Sequence, residues 1–222
     1  GKLDEPIAIR ELKRYCADKA IITSRGLKVK SLEDAGKKVA IIGSGPSGLS
    51  AAYFLRRMGY NVTIFERTAE LGGLLRYAVP EYRLPKSILN LEISNILALG
   101  IKTKTNCRVG KDVSINALIN DYDAVYVSIG CQKNRDLNIE GEGLPSVYSG
   151  LNVLERINTN TLPYLGKEIV VIGGGNVAID SARSMRRLGY VVTVAYRRTE
   201  EEMPAFRAGR NSLLFVRQPS LR

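Results

Sequence analysis

Two parallel α/β units preceded by a helix are what this 222-residue sequence predicts, and three observations carry the prediction. The stretch KKVAIIGSGPSGLSAAYFLRRMGYNVTIFER, residues 37–67, returns as KEIVVIGGGNVAIDSARSMRRLGYVVTVAYRR, residues 167–198. Each copy runs from an apolar strand through a glycine turn into an amphipathic helix and then a β-branched strand, which is a βαβ unit. The glycines fall at GxGxxG spacing, with Ala178 in the last place of the second copy. Gly43 and Gly173 allow the tight turn, Gly45 and Gly175 let backbone approach a pyrophosphate, and Gly48 lets the helix close on the sheet. The helix N-terminus that follows favours negative charge, so phosphates belong there. The fold class is α/β, with two Rossmann-like dinucleotide-binding domains.

The elements follow in order. Residues 5–20 form a helix with Ile9, Leu12 and Cys16 on one side, and a linker runs through Gly36, so residues 1–36 precede the first domain. That domain occupies 37–150 and the second 151–222, both incomplete on their C-terminal side. The two fingerprint helices close at Met58-Gly59 and Leu188-Gly189, where glycine ends a helix readily. After Pro85 a helix is predicted over Lys86 to Leu99, then a strand at IKTKT (101–105) and a buried strand at DAVYVSIG, ending at Gly130. Asn158 to Gly166, with Pro163, is the loop into the second unit.

The two copies differ chemically at the end of their second strand. The first has Glu66, whereas the second has Tyr196 followed by Arg197 and Arg198. A carboxylate accepts hydrogen bonds from a ribose diol and repels a 2′-phosphate, while guanidinium groups grip that phosphate through charge-assisted bonds. The first unit is therefore expected to take an unphosphorylated dinucleotide, FAD or NAD, and the second NADP(H). Two dinucleotides in one chain imply electron traffic between them.

Composition narrows the function classes. The chain has no histidine and no tryptophan, which excludes imidazole-assisted hydrolysis and histidine metal sites. Hydride transfer needs neither, because cofactors carry the chemistry, so no catalytic side chain and no metal ligand is predicted. Cys16, Cys107 and Cys131 are odd in number, without a CxxC, and fit reduced thiols in a cytoplasmic protein. No apolar run approaches the roughly 20 residues of a membrane span. A net charge of +11 suits phosphate-rich cofactors and an acidic electron carrier. Dispersed basic residues and 7% aromatics argue against a nucleic-acid partner. The run Glu200, Glu201 and Glu202 lacks metal-site spacing and is expected beside the arginines or in solvent.

The segment after Glu66, RTAELGGLLRYAVPEYRLPK, closely resembles the flavin-contacting stretch of the glutamate synthase small-subunit family, which includes the flavin parts of dihydropyrimidine dehydrogenase and ferredoxin-NADP oxidoreductases. GGGNVAIDSA and YRRTEEEMPA resemble that family's NADPH site, and EPIAIRELKRYCADKA its linking helix. The resemblance implies FAD on Gly45, Pro46, Ser47 and Gly48, with Glu66 on the adenosine ribose, Gly73 and Leu74 beside the flavin, and Arg83 and Val109 at flavin-site positions. It implies NADPH phosphates on Gly175, Asn176 and Val177 and the 2′-phosphate on Arg197 and Arg198. An iron-sulfur domain or subunit is the implied acceptor, with the glutamate synthase large subunit or a ferredoxin as candidates. A non-catalytic nucleotide-binding fragment remains the alternative. The cysteine-rich front of the family and its returning flavin segment are not matched, and the tail after Phe206 does not align, so the chain reads as truncated, with weak FAD retention expected in isolation.

Overall fold

A computed structural model describes residues 7–22, 32–131, 139–206 and 209. Positions 5–6 of the predicted first helix, much of the linker (23–31) and the tail beyond Phe206, Gly209 apart, lie outside the described residues. The first helix, α1 (Ile9–Ile22), leads to a βαβ unit of β1 (Lys38–Ile42), α2 (Pro46–Arg57) and β2 (Asn61–Phe65). Then come α3 (Leu74–Tyr77), α4 (Lys86–Leu97), β3 (Lys102–Lys104), α5 (Ile115–Asp121) and β4 (Ala124–Val127). These strands form one parallel sheet of order β3-β2-β1-β4. Helix α6 (Gly150–Asn158) connects to the second βαβ unit, β5 (Glu168–Ile172), α7 (Asn176–Arg187) and β6 (Val191–Ala195), whose two strands pair in parallel. The predicted α/β class is the observed one.

Strand β1 is apolar from Val39 to Ile42 because both of its faces are covered, as parallel sheets require. Val39 and Ile41 pack with Leu49 and Ala52 of α2 and with Leu89 and Ile93 of α4. Ala40 and Ile42 pack on the other face with Phe65 and with Leu118 of α5. Pro46 stands in the first turn of α2, where its missing N–H costs nothing. Helix α4 starts at Lys86 as predicted and ends at Leu97, two residues early, where the Gly100 N–H turns back to the Leu97 carbonyl.

One expectation is corrected. The segment DAVYVSIG was predicted as a buried strand ending at Gly130, but β4 covers only Ala124–Val127, and Tyr126, Val127 and Ile129 are exposed. Among the described residues it is an edge strand, paired through β1 alone. Its apolar residues therefore lack the second neighbour that buries β1. Pairing continues one step further through the Ser128 N–H, which donates to the Ile42 carbonyl at 2.8 Å.

Candidate functional site

The first glycine turn lies at the carboxyl ends of β1 and β2, where open α/β sheets place their ligands. Its glycines have separable roles. A Cβ at Gly43 would approach the Ser128 carbonyl oxygen to 2.5 Å, and φ there is +100°. At Gly48 a Cβ would fall well inside van der Waals contact of the Gly43 carbonyl and 2.8 Å from Ser128 Oγ. A Cβ at Gly45 would meet nothing within 4 Å. Two glycines thus close the turn, and the third keeps a space open in front of it. The ladder of α2 begins with the Leu49 N–H donating to the Gly45 carbonyl, so the N–H groups of Ser47 and Gly48 precede the first intrahelical bond. Pro46 has no N–H to offer. The Ser47 hydroxyl lies 2.9 Å from the Tyr126 hydroxyl, which links the helix start to β4.

Glu66 follows β2 directly and is only 6% exposed. Its Oε2 accepts from the Ser44 N–H at 2.9 Å and the Ser44 hydroxyl at 2.6 Å. Its Oε1 accepts from the Thr68 N–H and hydroxyl, both at 2.9 Å. Burial acts to raise its pKa, but the hydrogen bonds from Ser44 and Thr68 outweigh it and hold the carboxyl below its ordinary range. The acid is ionised and deeply held. Thr68 Oγ1 also lies 3.0 Å from the Glu70 carbonyl, so its single proton has two acceptors in reach.

The loop after β2 returns to the same turn. The Gly72 N–H donates to the Ser44 carbonyl at 3.0 Å, and a Cβ at Gly73 would stand 2.9 Å from the Gly45 Cα. Gly73 has φ +54° and caps the short α3 that Leu74 opens. Val109 packs in the cluster of Phe65 and Leu118, and the neighbouring Cys107 N–H donates to the Glu66 carbonyl. Gly43 to Gly48, Glu66, Gly73 with Leu74, and the 107–109 stretch therefore converge. Arg83 places its Nε 2.6 Å from Asp180 Oδ1 on α7.

The second turn repeats the first with looser packing. Gly173 has φ +129°, and a Cβ there would meet the Ala178 methyl at 3.3 Å, so alanine occupies the place that Gly48 fills in the first copy. Gly175 caps α7, and a Cβ there would again meet nothing within 4 Å. Asn176 accepts through Oδ1 from the Phe206 N–H at 3.1 Å, while the Ala205 N–H donates to the Gly174 carbonyl. Val177 packs on α6, where a Cβ at Gly150 would come 2.7 Å from its Cγ1. Tyr196 lies against Gly174, and Met203 and Ala205 are buried with Ile179. The EMPA run is therefore the backing of this turn, a role that its sequence did not announce. Arg197 and Arg198 are exposed just past β6. Nearby, Glu202 accepts from the Thr199 N–H and hydroxyl, which, with Arg198, hold its carboxyl below the ordinary range.

Sequence reasoning missed Ser44, Thr68, Tyr82 and Asp180. Thr68 follows Glu66 by two residues, so a short-range donor search around the acid would have found it, whereas Ser44 occupies a variable place in GxGxxG and reaches the acid only through the β1–β2 pairing. Asp180 and Tyr82 are far apart in the chain and carry no local signal. Among the described residues, no group of three or more His, Cys, Asp or Glu side chains is placed to hold a metal, and no helix is long and apolar enough to cross a membrane.

Two glycine turns of one geometry, each opening a helix at the carboxyl end of a parallel strand, define an α/β fold with two βαβ units of the dinucleotide-binding type. Residues 37–209 match the model of the pyridine nucleotide-disulphide oxidoreductase family, and the chain belongs to that family. It is 43% identical to the NADP(+)-dependent formate dehydrogenase subunit beta of Moorella thermoacetica, over 92% of this chain and 32% of that one. It is 37% identical to the glutamate synthase [NADPH] small chain of Escherichia coli (strain K12), over 90% of this chain and 45% of that one. The chain thus spans under half the length of either relative. Mycobacterium tuberculosis FprA, solved in complex with NADPH, superposes with a TM-score of 0.67 at 26% identity, over 78% of this chain and 46% of the other.

Proposed function

We propose that the chain binds FAD at the first turn and NADPH at the second, and that it serves the transfer of a hydride from NADPH to the flavin. Electrons then leave singly for iron-sulfur centres on another domain or subunit. The reading also divides the chain near residue 150 and puts the protein in the cytoplasm. One observation carries it above the others. Both turns are open where a pyrophosphate would pass, at Gly45 and Gly175, yet they end in opposite chemistry, the buried Glu66 against the exposed Arg197 and Arg198.

When bound, the coenzymes supply the hydride donor and acceptor; the chain supplies binding and orientation. In the first site Ser47 and Gly48 offer N–H groups to the pyrophosphate, and Gly73 and Leu74 bring backbone to the flavin side. Rotation of the Thr68 hydroxyl toward the Glu70 carbonyl frees an acceptor site on Glu66 for a ribose hydroxyl. In the second site Asn176 and Val177 lie in the first turn of α7 for the phosphates, with Arg197 and Arg198 for the 2′-phosphate. The names of the relatives above, a subunit beta and a small chain, support a partner chain as acceptor.

A visible spectrum tests the reading. Titrated with excess FAD to offset the weak retention expected in isolation, the purified chain should shift the flavin band relative to free FAD and bleach it on NADPH under argon, and an unshifted band would reject the first site. Replacing both Arg197 and Arg198 by Ala should weaken NADPH about 100-fold while NADH changes less than about threefold, the loss of two charge-assisted contacts. Equal losses would remove the 2′-phosphate role. Co-purification separates the acceptors: an amidotransferase-type large subunit supports glutamate synthesis, and a ferredoxin-type protein supports the ferredoxin reading.

A further inference from the structure

We propose that Asp180 is a positioning residue, which with Tyr82 and Arg83 holds the helix of the second turn in register with the segment packed on the first. The inference deepens the function proposed above and rests on it. Asp180 is 8% exposed and lies one turn into α7, beyond the residues proposed for the NADPH phosphates. Its Oδ1 receives Arg83 Nε at 2.6 Å and the Tyr82 hydroxyl at 3.1 Å. Both partners come from more than ninety residues earlier in the chain. Arg183 and Arg187, from the same helix as Asp180, lie over the Tyr82 ring at 4.5 and 4.0 Å from its centroid. One carboxylate thus offsets part of the charge of a cluster containing three guanidinium groups, and among the described residues Arg83 Nη2 and Arg183 Nε are buried there with no hydrogen-bond partner. Withdrawal of the Asp180 charge would leave these cations facing one another in a partly desolvated contact.

The contact can transmit position because both its ends are braced. On the first side, Gly73 backs onto Gly45, Lys86 Nζ donates to the carbonyls of Leu75 and Val79 at 3.2 and 2.7 Å, and the Arg83 and Leu84 N–H groups donate to Pro80. Residues 73–86 therefore behave as one strut from the first turn to Arg83. On the second side, α7 runs without interruption from Gly175 through Asp180. A second strut reinforces the first, since Asn158 Nδ2 at the end of α6 donates to the carbonyls of Tyr77 and Val79. Burial and the Asp180 charge raise the Tyr82 pKa, which keeps the phenol a donor.

Two measurements test the proposal on the full chain. In the coenzyme-free protein, Asp180→Asn should accelerate hydrogen exchange at residues 80–84 about tenfold, with β1 and β2 unchanged, the signature of local rather than global opening. Unchanged exchange at 80–84, or acceleration across β1 and β2 alike, overturns it. With FAD loaded, Asp180→Asn should slow flavin bleaching about tenfold at saturating NADPH, with half-saturation shifted less than twofold, and Asp180→Glu should recover most of the rate. Arg83→Gln should have a similar effect, and the double variant should be no slower than either single one, because the two act through one contact. Additive losses, or a loss confined to half-saturation, overturn the positioning role. The milder Tyr82→Phe, which keeps the ring under Arg183 and Arg187, should show the same pattern at smaller amplitude. The exchange arm needs no coenzyme, so it stands or falls separately from the dinucleotide reading, which the flavin band decides.

Discussion

Ala40 and Val170 hold the same place in the two copies, yet Ala40 is fully buried and Val170 is 65% exposed. Two residues on, Ile42 is 8% exposed and Ile172 is 58%. The strands have the same character and the turns the same geometry, so the difference comes from what packs around them. The first copy sits inside a four-stranded sheet with α2 and α4 on one face and α5 on the other. Among the described residues the second copy has two paired strands, with Met203 and Ala205 packed beside α7 on one side. A repeated βαβ motif specifies its turn locally, whereas its contribution to stability depends on neighbours that lie outside the motif.

Substitutions at matched positions break or sharpen that comparison. The largest effect is expected at the third fingerprint position. Gly48→Ala forces a methyl into the Gly43 carbonyl and Ser128 and should cost about 3 kcal/mol or prevent folding. The second copy already carries Ala178 there. Gly45→Ala, in open space, should leave the denaturation midpoint unchanged and impair only FAD binding. A matched pair of truncations comes next. Ile42→Ala should destabilise by about 3 kcal/mol, and Ile172→Ala by less than about 1 kcal/mol, in urea unfolding followed by circular dichroism. Similar costs for the two would show that the second sheet is covered as well as the first.

The smallest effect concerns pH and the acid that the second copy lacks. Because the folded pKa of Glu66 is depressed, its contribution to stability is complete above the ordinary value of 4.5 and is lost as pH falls through the lower folded value. Glu66→Gln should flatten the acid limb of the stability profile below pH 4.5, read as urea midpoints at successive pH values. An unchanged acid limb would mean that Ser44 and Thr68 do not hold the carboxylate as an ion.

Much of this architecture was legible in the residues. Both turns, both fingerprint helices and the start of α4 at Lys86 were predicted, because glycine spacing, proline placement and apolar periodicity act over a few residues. The predicted burial of β4 failed for a corresponding reason: DAVYVSIG has the composition of an inner strand, and composition does not reveal a missing neighbour. Glu66 was expected from its place after β2, but its four internal hydrogen bonds depend on Ser44, brought in by the β1–β2 pairing, and on the course of the chain after β2.

By itself, the sequence determined the α/β class, the two glycine turns and the opposite charges at their strand ends, since each depends on residue type at short spacing. Tertiary structure alone decided which apolar strands are covered, that Arg83 meets Asp180, and that the EMPA run backs the second turn. These are contacts between segments that are distant in the chain or have no shared periodicity, and they arise only when packing and the satisfaction of buried polar groups are resolved together.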